Sequence, residues 1–450
     1  MPAARLMRRG WVRRGRSTLN GRLLVLGKML AKSCRGLAVL AAAAIVTVAS
    51  GPVASGPVQA AQTVGPVTDD IGVLRIPKGA PIQVGGSWVL SGPDTALGLD
   101  EKRAVELNFK DMGGKLMGHP LKLNAEDDTC NAEGGQTAAT KLASNPQTVV
   151  VLGPACSSAA TSGAPILWQQ GIVEICTGCT APALTASTRK SDYDGFARTV
   201  YSDSEQGKAD ANYVAKVLKL KTVVTIHDGS AYAQQLQQVF ADNFTAMGGK
   251  VLSQEAVSPT DVDMHPVLTR IASEKPDLVY FPLFTAAAAQ VLRQAKETPG
   301  LEKTKLIGGS SLLSADFIEA SGPSIVGFVI GYPDLSPDAM GKGYPKFVEE
   351  YKKAYGEAPI SGYHANAYDG MTLVAKAIEK VAKTDKDGNL YIGRKAFRDA
   401  VFSIKFEGIS GPMACDKYGE CASFKPSMLE FTAADPKTFA VGKNPKKIWP

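Results

Sequence analysis

Two adjacent hydroxyls are the first residues with chemical promise. In VVVLGPACSSAATSGAP (149–165) a β-branched run ends at Gly153–Pro154 and leads into Cys156, Ser157, Ser158 and a string of small residues. Such a turn leaves free backbone N–H groups at the start of a helix. There the helix dipole favours an anion, and small residues let a ligand approach the backbone. A capping role for Ser157 or Ser158 is compatible with that reading. The next candidate is CTGC (176–179), which reads as a redox pair, half a zinc site, a structural bridge or two free thiols. There is no second C-x-x-C and only four histidines are present. The structural readings are therefore preferred, and neither a metal nor a cofactor is expected. Asp127–Asp128 resembles a catalytic carboxylate pair, but it closes a strand just ahead of Cys130, where capping and solvation account for it. His364, in SGYHANAYDG, reads as structural or as lying at a cleft edge. No Ser/His/Asp order or Gly-rich phosphate loop is placed to make an enzyme site.

These residues need elements to position them. From Pro81 onward, strand-like runs alternate with amphipathic helical ones. PIQVGGSWVL, HPLKLNAE, QTVVVLG and GIVEIC are separated by helical stretches. A second set follows with KTVVTIHD, KVLSQEAV, DLVYFPL and KTKLIGG. Residues 341–402 read as mainly helical and are followed by a short β-rich tail. Short strands alternating with helices of this length predict βαβ units and mostly parallel sheets. In open α/β sheets a ligand binds outside the carboxyl ends of the strands, which is where Ser157 falls.

The 450 residues suffice for two or three lobes, and the overall charge of +7 is lopsided. Residues 1–60 hold ten Lys or Arg and no acid, so residues 61–450 carry 40 basic against 43 acidic residues. No basic stripe remains for nucleic acid. The leader reads as an export signal: a basic region to Arg35, an apolar core GLAVLAAAAIVTVAS (36–50) and a small-residue cleavage site VQA (58–60). The core is short for a membrane anchor. Met29 would open a conventional signal. The arginine pairs at 8–9 and 13–14 lack the hydrophobic stretch that a twin-arginine signal wants, and Cys34 precedes the apolar core. Residues 51–68 look like leader remnant and linker, and 61–80 are taken as an N-terminal extension. Six cysteines follow the leader: Cys130, Cys156, Cys176, Cys179, Cys415 and Cys421. An even number in an exported chain argues for disulfides, with fifteen possible pairings. Cys415 and Cys421 bracket a turn, and Cys130 and Cys156 follow successive strands that could lie side by side.

The order and spacing of LSGPDTALG (90–98), EDDTC (126–130), GPACSS (153–158), GIVEICTGCTAPALT (171–185), SDSEQG (202–207), TIHDGSAYA (225–233) and GYHANAYDG (362–370) resemble the exported Leu/Ile/Val-binding proteins. These are type I periplasmic binding proteins of ABC importers, and the likeness runs from about 81 to 430. It implies two Rossmann-like α/β lobes with mostly parallel sheets, joined by three hinge crossovers that close on a ligand. By analogy the crossovers fall near Val200–Tyr201, Tyr332–Pro333 and Glu407–Pro412. The first lobe would comprise 81–200 plus 333–408, the second 201–332 plus 409–450. The resemblance implies a Cys130–Cys156 disulfide and a ligand carboxylate at Ser157 and the N–H groups after it, with Ser158 beside them. It places a second hydroxyl at Thr180, a carbonyl acceptor for an amine at Gly178 or Cys179, and aromatic walls at Tyr232 and Phe284.

Two departures bear on the ligand. Amino-acid binders carry an acid on the second lobe for the ammonium, and here Ser310 or Ser311 stands there. Burying an ammonium without a countercharge is costly, so either another acid such as Asp369 or Asp203 serves, or the ligand lacks an amine. A first-lobe tyrosine is replaced by Leu97, and Trp88 is a candidate flat wall. Together these lean toward an apolar or aromatic carboxylate or a modified amino acid. The expectation is a monomeric, non-enzymatic receptor in the periplasm that hands a small-molecule ligand, a branched-chain amino acid or a related apolar or aromatic acid, to ABC permease subunits. The alternatives are an exported thiol-disulfide oxidoreductase using Cys176 and Cys179, or a ligand-sensing module of a signalling system.

Overall fold

A computed structural model describes residues 61–440 and 442–450; the export-signal reading of 1–60 lies outside the described residues. Two main sheets organise the chain. The first has six strands in the order 115–116, 119–127, 82–88, 148–152, 173–176 and 196–198, all parallel except the short hairpin at its edge. The second has seven, in the order 250–256, 222–227, 278–281, 305–308, 329–333, 426–430 and 446–449; the first five are parallel and the last two antiparallel additions. Helices cover both sheets. The strand Thr148–Leu152 is buried along its whole length, as its unbroken apolar run requires of a central parallel strand.

The small residues after Ser157 have a packing role. The helices Ala132–Ala143 and Ser157–Gln169 cross at close range. A methyl on Gly135 would lie 2.4 Å from Ala159 Cα, and one on Gly163 would lie 3.2 Å from Ala139 Cβ. The Ala132–Ala143 helix is capped by Asn131, whose side chain accepts from Gly134 N–H. This tight pairing fixes where the tip of the Ser157–Gln169 helix stands.

Three segments differ from the sequence expectation. Part of the supposed linker is folded. Gln62–Val64 pairs with Val67–Asp69, and Val73–Ile76 pairs with Leu390–Gly393. Asp69 accepts from the N–H groups of Ile71, Gly72, Lys395 and Ala396, so it satisfies the open donors at the start of the Arg394–Ser403 helix. The helical region 341–402 also contains the short strands Lys383–Thr384 and Leu390–Gly393. The third crossing lies later than Glu407–Pro412. The hairpin Lys405–Glu407/Pro412–Ala414 and the loop closed by Cys415–Cys421 stay with the first lobe, since Cys421 N–H donates to Arg198 O and Met413 and Cys421 pack in that lobe's core. The chain enters the second sheet only at Pro426, which pairs with Pro333.

Candidate functional site

At Gly153 the strand Thr148–Leu152 turns with φ +90°, and a methyl there would lie 2.0 Å from Ser87 O. Only glycine fits such a turn without strain. Cys156 follows and is tied to Cys130. Ser157 then opens the helix; it is buried, and its Oγ accepts from Ala181 N–H at 3.1 Å. With that lone pair used, the Ser157 hydroxyl proton is free to donate, alongside the unpaired N–H groups of the helix start.

The next turn, 176–180, is built with equal care. Cys176 and Cys179 are joined and both are buried. Gly178 N–H donates to Pro154 O at 3.2 Å, which seats the turn against the first. Thr177 donates its hydroxyl to the buried Glu101, and Thr180 donates its hydroxyl to Asp203 Oδ2 at 2.8 Å. Asp203 N–H returns a bond to Thr180 O at 2.9 Å. Arg198 lies behind the turn, fully buried. It donates to Cys179 O (3.3 Å), Ala181 O (2.9 Å) and Thr185 Oγ1 (2.7 Å), and forks onto Glu420.

The opposite wall comes from the second lobe. Ser230 caps the Ala231–Ala246 helix by accepting from Ala233 N–H. That helix start presents Tyr232, whose ring lies 5.4 Å from Phe284. Tyr232 OH accepts from Ser311 N–H at 3.3 Å and lies 3.4 Å from Ser310 Oγ. Ser311 Oγ donates to Leu283 O. A third aromatic, Tyr363, comes from the segment before the His364–Val381 helix. Asp100 aims it by accepting from Ser361 N–H and Oγ–H, and by pairing with His364 Nδ1 at 2.8 Å. His364 Nε2 meets Tyr344 OH at 2.9 Å, so this histidine is a buried structural group.

Leu97, Ala155, Ser157, Gly178, Thr180, Tyr232, Phe284, Ser311 and Tyr363 line a small pocket between the lobes. Three hydrogen bonds hold its mouth. Ser158 Oγ accepts from Ala231 N–H (3.0 Å), Asp94 Oδ1 from Thr285 N–H (3.0 Å) and Gln235 Oε1 from Ala183 N–H (2.8 Å).

Of the residues singled out in the sequence, seven meet at this pocket: Leu97, Ser157, Gly178, Thr180, Tyr232, Phe284 and Ser311. Ser158 belongs to the clasp at the mouth instead. Ser310 stands behind the Tyr232 hydroxyl. Cys179 has its carbonyl engaged by Arg198, which leaves Gly178 as the acceptor of that turn. Trp88 is not a wall. It is completely buried beneath Gly86 and Gly153, with Nε1 3.4 Å from Thr177 Oγ1. Asp369 is likewise away from the space, because its carboxylate is taken by Ile409 N–H, Ser410 N–H and the Ser410 hydroxyl. Tyr363, Glu101, Arg198 and Glu420 were missed. Only Glu101 had a local signal, since it lies one helical turn after Leu97 on the same face.

Burial governs the electrostatics. Desolvation pushes Asp203 up to about 7 against the lowering effect of the Thr180 hydroxyl, and it raises Glu101 well above the carboxylate range. Each of these acids retains one buried oxygen without a hydrogen-bond partner, Asp203 Oδ1 and Glu101 Oε1. The arrangement supplies a helix tip rich in N–H donors, the Thr180 hydroxyl and Gly178 carbonyl as acceptors on the neighbouring turn, and aromatic walls beside them.

A family model for periplasmic binding proteins matches residues 81–420. The Leu/Ile/Val-binding protein of Citrobacter freundii is 25% identical over 362 residues, which is 79% of this chain and 93% of that protein. Among solved structures, a leucine binding protein from Thermotoga maritima has a TM-score of 0.70 at 22% identity, covering 78% of this chain and 96% of the other. A solute binding protein of an ABC transporter from R. palustris, in complex with benzoate, has a TM-score of 0.66 at 22% identity, covering 82% and 96%.

Proposed function

The chain belongs to the periplasmic binding protein family, and from that premise we propose that it is the extracytoplasmic receptor of an ABC importer. It captures a small carboxylate-bearing solute between its lobes and delivers it, chemically unchanged, to membrane permease subunits. The observation that carries this reading is the polarity of Ser157. Its Oγ lone pair is spent on Ala181 N–H, so its proton and the helix-start N–H groups converge on the enclosed space. The walls Leu97, Tyr232, Phe284 and Tyr363 suit an apolar or aromatic body attached to that carboxylate. Relatives named for leucine, isoleucine and valine, and a structural neighbour holding benzoate, support the same ligand class. The mature protein acts in the periplasm as a monomer.

A thermal-shift screen of the mature protein across branched-chain and aromatic amino acids and aromatic acids tests the reading, because a ligand that binds only the folded form raises the melting temperature. Ser157→Ala is expected to weaken the best binder by about 1.5–3 kcal/mol in isothermal titration, the worth of a charge-assisted hydrogen bond. Unaltered affinity would remove the carboxylate from this helix tip.

A further inference from the structure

We infer that the helical face of the second lobe carries a separate small-molecule site, a cavity walled by Trp449 and Phe424 that takes a small aromatic anion bearing an N–H or O–H group. It shares no lining residue with the pocket between the lobes, so it stands or falls independently of the carboxylate site proposed above.

The cavity measures about 440 Å³, within the roughly 300–1,000 Å³ of small-molecule sites. It opens between the Asp203–Asn212 helix and the end of the Ala231–Ala246 helix, and the tail strand Lys446–Trp449 borders it. Ala209 and Ala246 are too small to fill the space between their helices. Two rings form the apolar walls, Trp449 from the tail strand and Phe424 from the third crossing. Both are held from behind. Trp449 packs on Tyr213 with ring centroids 5.6 Å apart, and Phe424 packs on Tyr201 at 5.0 Å. Walls already fixed in place cost a ligand little ordering, and their faces favour a flat ring.

The polar wall residues set the rest of the ligand's chemistry. Lys208 and Lys216 are exposed cations on the lining, against the single acid Glu205. That balance favours a monoanion. Asn212, between the lysines, also lines the cavity, and its Oδ1 is buried with no hydrogen-bond partner among the described residues. An unmet buried acceptor is costly. The amide torsion of asparagine is soft, so an entering N–H or O–H group can draw this oxygen to itself. At this point the Asp203–Asn212 helix passes into a π turn, Tyr213–Val217. Such turns are rare and are frequent at functional sites.

The test is fluorescence titration of the mature protein with 1-anilinonaphthalene-8-sulfonate, a probe with flat rings, one N–H and one sulfonate. The expected result is saturable binding at one site. Trp449→Ala should weaken it roughly tenfold through the lost ring face. Asn212→Ala, and Lys208→Gln combined with Lys216→Gln, should each weaken it about threefold or more. Val326→Ser, in the separate apolar hollow beside Leu301, should leave the affinity as it was. Absence of saturable binding would overturn the inference, as would unchanged affinity in any of the three cavity variants. A loss caused by Val326→Ser would place the probe in the other hollow and overturn it as well. The two lysines are exposed and do not hold the fold, so their variant decides the matter even if Trp449→Ala fails to fold.

Discussion

Single residues set the polarity of this pocket, and the sequence disclosed some of them and hid others. Gly153, Ser157 and Thr180 were legible because a strand end, a turn and a helix start follow one another within a few residues. Arg198 and Tyr363 were not, because their meaning depends on partners far along the chain. Arg198 reaches Glu420 and Tyr363 is aimed by Asp100, and no local periodicity marks either pairing. Arg198 holds the Cys179 and Ala181 carbonyls from behind, so its loss strands a carboxylate and two buried acceptors. Arg198→Met is expected to cost about 3–5 kcal/mol in chemical denaturation, the usual penalty for breaking a buried ion pair. Glu420→Gln leaves the fully buried guanidinium without its countercharge, so it should cost a comparable amount even though the amide oxygen can still accept a hydrogen bond. A cost below 1 kcal/mol for Arg198→Met would show that the guanidinium is dispensable.

At the scale of elements, the alternation of strands and helices was readable from hydrophobic pattern, and so was the position of the helix tip at the carboxyl end of a strand. The third crossing was misplaced because nothing local distinguishes a hairpin that stays with one lobe from one that leaves it. Long-range pairing decides the matter, through Cys421 N–H on Arg198 O and Pro426 beside Pro333. The close crossing of the helices Ala132–Ala143 and Ser157–Gln169 offers a direct test of how the tip is held. Gly135→Val places atoms where Ala159 backbone already stands, so it should destabilise by about 1–3 kcal/mol as an overpacked core does. Because the helix must shift to relieve the clash, ligand affinity should fall with it. Intact affinity in a folded variant would mean that the tip is located by the disulfide and the Gly153 turn alone.

Over the whole molecule, buried acids dominate the response to pH. Desolvation raises Asp203 and Asp210 to about 7 and Asp128 and Asp369 to about 6. Their unfolded values lie near 3.9. Between about pH 4 and 7 the folded chain therefore binds protons that the unfolded chain does not, and stability must rise as the pH is lowered through that window. Asp385, held at about 2 by Asn389 and Tyr391, works in the opposite sense, but only at still lower pH. The ligand-free protein should thus melt at a higher temperature at pH 5 than at pH 8 by circular dichroism. A flat profile or the reverse slope would show that these carboxyls are ionised in the native state.

Arg198 also has a mechanical consequence. It sits on the last strand before the first crossing and grips Glu420 just before the third, so two of the three connecting segments are bolted to the floor of the pocket. A swing of the halves must then pivot close beneath the solute. On such a swing, groups near the pivot such as Thr180 and Asp203 would move least, whereas the cross-lobe bonds Ser158–Ala231 and Asp94–Thr285 would part. An incoming molecule would meet a base that stays in place before the Tyr232–Phe284 wall closes over it.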